Sequence, residues 1–395
     1  MIQMKPRSAP SLLAISSGLL ALAFVVAWIV GRTALGPHLL SGCFLCLAGA
    51  ASLGQGPLRP LAFTIWIATG VVVGMCHHAH FITFPSWVFA VGGREMSIVF
   101  IPVLQVIMFA MGTTLSTADF ARVFKMPTAV GIGLACQFTL MPLIGFLLAH
   151  AFGLPVEIAA GLVLVGSSPG GLASNVMAFI AKANVALSVT MTALSTLIAP
   201  LMTPLLMKGL AGQMVEINVP EMMWSMTKIV LLPVFAGLVF HHLVYHRLKW
   251  LDQVMPLVSM VGILIMTVLT VAVGRDKLLE VGGLLILACI LHSGAGFTLG
   301  YAMCRILRRD LQPCRTIALE VGLQNSGMAA GLAKSLGAVA TLGLVPIVFG
   351  PVMNLMSSIL ANWWRTHPVE TPPDHAPDSD SDSDEAPVGD PPHST

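Results

Sequence analysis

One carboxylate stands where this sequence can least tolerate it. The stretch Ala318-Leu319-Glu320-Val321-Gly322-Leu323-Gln324-Asn325-Ser326-Gly327 lies between apolar segments, yet it holds a carboxylate, two amides, a hydroxyl and two glycines. A carboxylate in hydrocarbon costs several kcal/mol, so an ionisable group at that depth marks a functional site by default. The glycines imply that a helix opens here, which backbone does at membrane depth only where protein or a water-filled cavity satisfies it. Oxygen donors of this kind suit a hard cation, and Glu320 and Gln324 are the first candidates to hold one.

A second polar interruption, Gly166-Ser167-Ser168-Pro169-Gly170-Gly171-Leu172-Ala173-Ser174-Asn175, has the same character. Around the two breaks the chain offers Ser174, Asn175, Ser188, Thr192, Glu320, Gln324 and Asn325, with Gln137 a lone amide further upstream. Ser188 and Thr192 are four apart and share one helix face. Any one Ser or Thr in such a helix more often bonds back to its own turn. The carboxylate changes the weight of the set, because a buried negative charge needs a cationic partner. No base of the broken segment is an obvious one, and Lys334 lies almost four turns on. A bound cation fills that role, or else Glu320 is protonated. Where each half-helix restarts, free N–H groups and the positive dipole end attract an anion. Two such ends near the midplane make an anion site beside cation sites, the arrangement needed for cation-coupled uptake of an organic anion.

The elements that must position these groups are apolar helices. Of the 395 residues 56% are hydrophobic and 10% charged, against about 25% charged in ordinary soluble domains. The composition indicates an all-α polytopic membrane protein, and the alternating strands of an outer-membrane barrel are absent from the pattern. Ser11 to Val30 is long enough to span the bilayer and too long for the apolar core of a signal peptide, so it reads as a retained helix. A shorter apolar segment follows at 37–53. Ten further spans are predicted at 58–76, 97–115, 127–150, 155–183, 185–208, 222–244, 255–273, 279–304, 313–336 and 341–364. Each break is fourth in a block of five, over 58–208 and 222–364. Five is odd, so the second block must be inverted relative to the first. Interrupted helices at matching positions in two inverted halves point to a secondary-transporter site near the midplane. Kinks used only for packing are the plainer alternative, but packing does not need a carboxylate.

Charge sets the expected orientation. With the N-terminus inside, inner segments hold thirteen Lys or Arg and outer segments seven, which favours both termini in the cytoplasm. From Thr366 onward there are eight acids and no Lys or Arg, leaving ten acids against all twenty bases in the body. Such a tail, 365–395, cannot bury enough apolar surface to order itself. The seven cysteines fall mostly in apolar runs and read as packed or lipid-facing thiols; Cys43 and Cys46 have no second pair to complete a metal site. His77, His78 and His80 read as interfacial, His241, His242 and His246 as a helix end, and His292 as hydrogen-bonded within the bundle. Trp363-Trp364 fits an interfacial aromatic belt.

The runs Ser168-Pro169-Gly170-Gly171-Leu172-Ala173-Ser174-Asn175-Val176-Met177, Asn184-Val185-Ala186-Leu187-Ser188-Val189-Thr190 and Glu320-Val321-Gly322-Leu323-Gln324-Asn325-Ser326-Gly327 resemble the bile acid:sodium symporter family, bacterial members included. The resemblance covers about 58–364. It implies a ten-helix inverted repeat (5+5) with core and panel domains, two broken helices that cross, and two sodium ions at the crossing. The first sodium site it implies uses Ser174, Asn175, Ser188, Thr192 and Glu320. The second uses Gln137, Glu320, Gln324 and the backbone carbonyls of Val321 and Leu323. Substrate would lie by Leu172, Ala173, Asn325, Ser326 and Asn354. Relatives often carry Thr where this chain has Leu172, and Trp-His-Asn where it has Val352-Met353-Asn354. The substrate is therefore open: a bile-acid-like anion or a small carboxylate such as pantoate or pantothenate. Residues 1–57, with about two extra helices, fall outside the resemblance and have no expected role beyond anchoring or oligomer contact.

Other readings remain. Proton coupling would use Glu320 as the titrating group, and a receptor would bind without transporting. A membrane-embedded enzyme needs a nucleophile–base pair or metal cluster, and neither Asp-x-x-Asp nor His-Glu-x-x-His occurs. No cofactor, metal other than sodium, or nucleic-acid partner is expected.

Overall fold

The computed structural model describes residues 36–53, 62–79, 97–244, 250–336, 338–339 and 341–367. The expected span at Ser11–Val30 and the acidic tail beyond residue 367 lie outside the described residues, as do His80 and His246.

Among the described residues the structure is helical apart from one isolated bridge. Helices α1 (Gly36–Leu53), α2 (Ala62–Cys76) and α3 (Ser97–Gly112) come first. A bend of 69° separates Ile101–Gly112 from the short segment Thr117–Phe124, which begins with α4 (Thr117–Ala121). Asp119 fixes that restart, accepting from Ser116 N at 2.7 Å and Ser116 Oγ at 2.8 Å while Arg122 pairs with it. α5 (Pro127–Ala151) starts on a proline, whose missing N–H belongs to a position that has no intrahelical partner anyway. α6 (Val156–Gly166) and α7 (Ala173–Ile180) are the two halves of the first broken span. α8 (Val185–Ala211) follows Asn184, whose Oδ1 accepts from Leu187 N at 2.9 Å and caps it.

α9 (Val219–Met226) and α10 (Leu232–Val244) are joined by a π-helical turn, Thr227–Leu231, placed just before Pro233, which has no N–H to continue the ladder. α11 (Leu251–Ile306) is one helix of 56 residues. The second broken span is α12 (Leu311–Gly322) and α13 (Ser326–Ser335), and α14 (Leu344–Thr366) closes the described chain. Among the described residues five helices are long and apolar enough to cross a membrane, six if the bent pair is one span.

α11 corrects the expectation of separate spans at 255–273 and 279–304. The gap between those two spans, 274–278, holds Gly274, Arg275, Asp276 and Lys277 but no proline, and one glycine costs a helix only about 1 kcal/mol, too little to stop it. The charges pair locally: Arg275 with Asp276 at 3.0 Å and Lys277 with Glu280 at 2.9 Å. The two ends of α11 keep different company. Leu264, Val268 and Val271 pack against Gly70 and Gly74 of α2, whereas Gly296 and Gly300 lie against Val321 of α12.

α1 is docked on α2 by polar contacts as well as apolar ones. Ser41 Oγ and His77 Nε2 lie 3.0 Å apart, the His38 and His77 rings are 4.8 Å apart, and Trp66 Nε1 donates to Ser52 Oγ at 2.8 Å. None of the seven cysteines is joined in a disulfide.

Close helix contact rests on glycine. In lipid no hydrophobic force separates helix from solvent, so van der Waals packing of small residues must supply it. A Cβ on Gly112 would lie 2.1 Å from Val234 O, and one on Gly237 would lie 2.2 Å from Phe109 O. The two glycines thus let α3 and α10 touch backbone to backbone. Gly237→Ala is expected to lower stability by roughly 1–3 kcal/mol through overpacking, read as a fall in melting temperature of the purified chain in detergent. Gly131→Ala and Gly209→Ala, where a Cβ meets nothing within 4 Å, should be neutral or stabilising by up to about 1 kcal/mol through helix propensity.

Candidate functional site

The two breaks meet. Gly171 N donates to Leu323 O at 3.1 Å and Asn325 N to Pro169 O at 2.9 Å, and Gly170 stands opposite Gln324 in an antiparallel bridge. Two short non-helical stretches thereby satisfy each other, which is what opened backbone requires where water is excluded. The second break is narrower than the sequence suggests. Ala318–Gly322 stays helical, Leu323 N still donates to Leu319 O at 3.0 Å, and the chain opens only at 323–325. Glu320 therefore sits in the last turn of α12.

The carboxylate of Glu320 is 1% exposed. Its Oε1 accepts from Ser174 Oγ of α7 at 2.5 Å, from Ser188 Oγ, and from Thr192 Oγ1 at 3.1 Å; Thr192 Oγ1 is also 3.0 Å from Oε2. Asn175 Oδ1 lies 2.9 Å from Ser188 Oγ and 3.4 Å from Thr192 Oγ1. Ser174, Asn175, Ser188, Thr192 and Glu320 are thus brought into one cluster, with oxygens contributed by three helices. Each hydroxyl has lone pairs beside its proton, so the same oxygens that donate to a carboxylate can face a cation.

Glu320 has no basic side chain bonded to it among the described residues. Arg315, five residues earlier on α12, turns to the end of α14, where Nη1 donates to Trp364 O at 3.2 Å and Nη2 to His367 O at 2.7 Å. Among the described residues there is also no group of three His, Cys, Asp or Glu side chains able to hold a metal ion. An all-oxygen set with a single carboxylate suits a hard monovalent ion better than a transition metal.

Gln137 and Gln324 form a second pair beyond the bridge. Gln137 Nε2 donates to Gln324 Oε1 at 2.6 Å and to Ser168 O at 2.7 Å, and Gln324 Nε2 donates to Val321 O at 2.6 Å. Leu323 O, by contrast, takes the Gly171 N–H, so its carbonyl is engaged in holding the crossing. Gly170 sits between the two groups: a Cβ there would come within 2.6 Å of Glu320 Oε2.

The residues expected to line a substrate cavity are only partly gathered. Leu172 and Ala173, at the start of α7, are half-buried, as is Ser326 at the start of α13. Asn325 caps α13, its Oδ1 accepting from Met328 N at 3.0 Å, while its Nδ2 reaches Met111 Sδ at 3.8 Å. Ser326 Oγ would lie 3.0 Å from a Cβ on Gly350 of α14. Asn354, one turn further along α14, is buried and gives Nδ2 to Gly350 O at 2.8 Å, with Oδ1 unpartnered. The α7 end has no side-chain cap; there Ser174 N donates to Gly171 O, and Ser174 Oγ lies 2.7 Å from the same oxygen.

Three residues absent from the sequence-based set also support the crossing. Ser195 Oγ accepts from Gly170 N at 3.3 Å, Thr203 Oγ1 donates to Ser167 O at 2.7 Å, and Ser293 Oγ donates to Gly322 O at 3.0 Å. His292, next to Ser293, is held by Met141 O at 2.9 Å from its Nε2 and packs edge-on against Phe349.

Thr192→Val keeps the shape and removes the one hydroxyl that reaches both Glu320 oxygens. It is expected to cost about 1–3 kcal/mol by denaturant or thermal unfolding in detergent, with Thr192→Ser much milder. In a Glu320→Gln background the same Thr192→Val step should cost less, giving a coupling energy of about 0.5–3 kcal/mol; a coupling near zero would deny the contact.

Comparison with known proteins places this geometry. Residues 101–281 match the profile described as the sodium bile acid symporter family. An uncharacterized sodium-dependent transporter of Bacillus subtilis (strain 168) is 38% identical over 303 residues, 76% of this chain and 90% of that protein. A probable chloroplastic sodium/metabolite cotransporter of Arabidopsis thaliana is 37% identical over 309 residues, covering 77% of this chain and 73% of its own length. A second probable chloroplastic cotransporter of that description, from Oryza sativa subsp. japonica, is 34% identical over 306 residues, 77% of this chain and 70% of its own. The family and these relatives are transporters rather than enzymes. The chain, a multi-pass helical membrane protein, belongs to the sodium bile acid symporter family.

Proposed function

We propose that this protein is a secondary transporter that carries an organic anion into the cytoplasm with sodium, by alternating access. The observation that carries the reading is the Glu320 carboxylate, buried, contacted by the hydroxyls of Ser174, Ser188 and Thr192, and bonded to no base among the described residues. A fixed negative charge of that kind is balanced by a cation that comes and goes. The sodium named in the descriptions of the relatives favours that ion over a proton.

In this reading the first sodium is held by Ser174, Asn175, Ser188, Thr192 and Glu320. The second is held by Gln137, Gln324 and Glu320, with the carbonyls of Val321 and Leu323. The anion binds where α7 and α13 start, among Leu172, Ala173, Asn325, Ser326 and Asn354, because the positive dipole ends of two half-helices come together there. The unit over 58–364 works as two halves, 58–208 and 222–364, arranged as core and panel. Residues 1–57 precede that unit, 365–395 form an acidic tail, and both termini face the cytoplasm of a cell whose plasma membrane holds the protein. The substrate class spans bile-acid-like anions and small carboxylates such as pantoate or pantothenate.

Purified protein in proteoliposomes, offered a panel of labelled organic anions, should accumulate one of them under an inward sodium gradient and not when potassium replaces sodium. Glu320→Ala and Gln324→Ala should each lose the sodium dependence. Normal transport by both variants would make the site assignment wrong. Uptake that ignores sodium but collapses with the pH gradient would make Glu320 a proton carrier instead.

A further inference from the structure

The breaks leave backbone carbonyls without their helical partners, and four of them can be followed to a replacement. In an unbroken helix Ser167 O would accept from Gly171 N, and Gly322 O from Ser326 N. The crossing redirects both donors, Gly171 N to Leu323 O and Ser326 N to Gln324 O, the latter at 2.9 Å. A hydroxyl on an adjacent unbroken helix then takes each stranded carbonyl: Thr203 of α8 takes Ser167 O and Ser293 of α11 takes Gly322 O. The next carbonyl in the first break and the preceding one in the second, Ser168 O and Val321 O, are taken by the amides of Gln137 and Gln324. Four stranded oxygens therefore divide into two held by hydroxyls and two held by the amides proposed to bind sodium.

We propose that Thr203 and Ser293 are positioning residues for cation binding, matched hydroxyl clamps that fix the ends of α6 and α12 so that the Gln137 amide, held by Ser168 O, and the Val321 carbonyl are set toward the ion. The inference rests on the sodium reading of the amide pair. Thr203 and Ser293 touch no proposed ligand atom: Ser293 acts through Gly322 O, which lies between the Val321 and Leu323 carbonyls, and Thr203 through Ser167 O, next to the Ser168 carbonyl that holds the Gln137 amide. The fit around Ser293 is close. A Cβ on Gly296 would stand 3.1 Å from Val321 O, and one on Gly322 would stand 2.1 Å from the Phe297 ring. α11 is thus pressed along the last turn of α12 by the residues that follow Ser293, and the Ser293 hydroxyl sets where that turn ends. With the hydroxyl gone, Gly322 O is a buried acceptor without a donor, and the turn shifts to find one. Val321 O and the Glu320 carboxylate, one and two residues earlier, shift with it.

The test uses the full chain purified in detergent and sodium itself as the probe. Melting temperature is followed as NaCl replaces KCl at constant ionic strength, and the sodium concentration giving half the stabilisation is recorded. Ser293→Ala and Thr203→Val are each expected to raise that midpoint about tenfold, the effect of losing one bond to a buried polar group. Thr203→Ser, which keeps the hydroxyl, should return it to the wild-type range. Ser293→Cys, with a weak donor, should fall between and serves if the alanine variant does not fold. A merely structural role would lower the melting temperature in KCl and leave the sodium midpoint unchanged, and that result overturns the proposal. The underlying reading has its own control: Glu320→Ala and Gln324→Ala should abolish the sodium shift. If they keep it, or if the wild type shows none, the sodium assignment fails and takes the clamps with it. If they abolish it while Ser293→Ala and Thr203→Val bind sodium normally, only the clamps fail.

Discussion

The structure is arranged around a charge that water does not reach. Glu320 lies at the end of a half-helix, 1% exposed, and no base among the described residues neutralises it. Removing a carboxylate from water costs several kcal/mol after all relaxation, and hydrogen bonds from neutral hydroxyls return only part of that. Three hydroxyls therefore do not explain the site as a device for stability. They do explain it as a place where an opposite charge completes the balance. The first half of the chain brings Ser174, Ser188 and Thr192 to a carboxylate of the second half, so whatever balances Glu320 also bonds the two halves together.

Opening two helices at the same depth would ordinarily strand many polar backbone groups. Here each break supplies what the other lacks. Gly171 N–H and Asn325 N–H, released from their own helices, pair with Leu323 O and Pro169 O across the bridge. The side chains that complete the accounting come from three directions: Gln137 from α5, Thr203 and Ser195 from α8, and Ser293 from α11. No one segment can move without leaving another unsatisfied. The crossing behaves as a unit for that reason, and the geometry of its oxygens is fixed by the whole bundle.

Much of this was legible in the sequence, because breaking a helix in an apolar setting needs residue types that stand out. Pro169, Gly170 and Gly171 mark the first break, and Glu320, Gln324 and Asn325 draw attention to the second. The extent of the second was not legible. Gly322 reads as a breaker, yet it is helical, because a Cβ there would collide with Phe297 and its role is clearance. The long helix α11 was misread for the opposite reason. The gap left at 274–278 carries Arg275, Asp276 and Lys277, and such charges continue a helix when they can pair, as Lys277 does with Glu280. Thr203 and Ser293 were invisible because a lone hydroxyl in an apolar span defaults to its own turn, as Thr190 and Thr298 do with Ala186 O and Gly294 O. Only the position of a stranded carbonyl nearby distinguishes the two cases. The small residues Gly296 and Gly300, which let α11 reach α12, were the one available hint.

Glycine links the packing of the bundle to its chemistry. Away from the site, a Cβ on Gly74 would stand 2.8 Å from Val268 O, and one on Gly145 would stand 2.7 Å from Leu162 O. Those contacts replace the hydrophobic driving force that lipid does not provide. At the crossing the same close approach does something further. Gly166 lets α6 come within reach of Met141 O, Gly170 leaves room beside Glu320 Oε2, and Gly171 lies against Gln324 O. A backbone bare of side chains is the only surface that can put carbonyl oxygens, amide N–H groups and a carboxylate at hydrogen-bond distance from one another at that depth. The residue type that lets these helices pack is thus also the one that lets a polar site exist inside them, and stability and ion chemistry draw on one set of contacts.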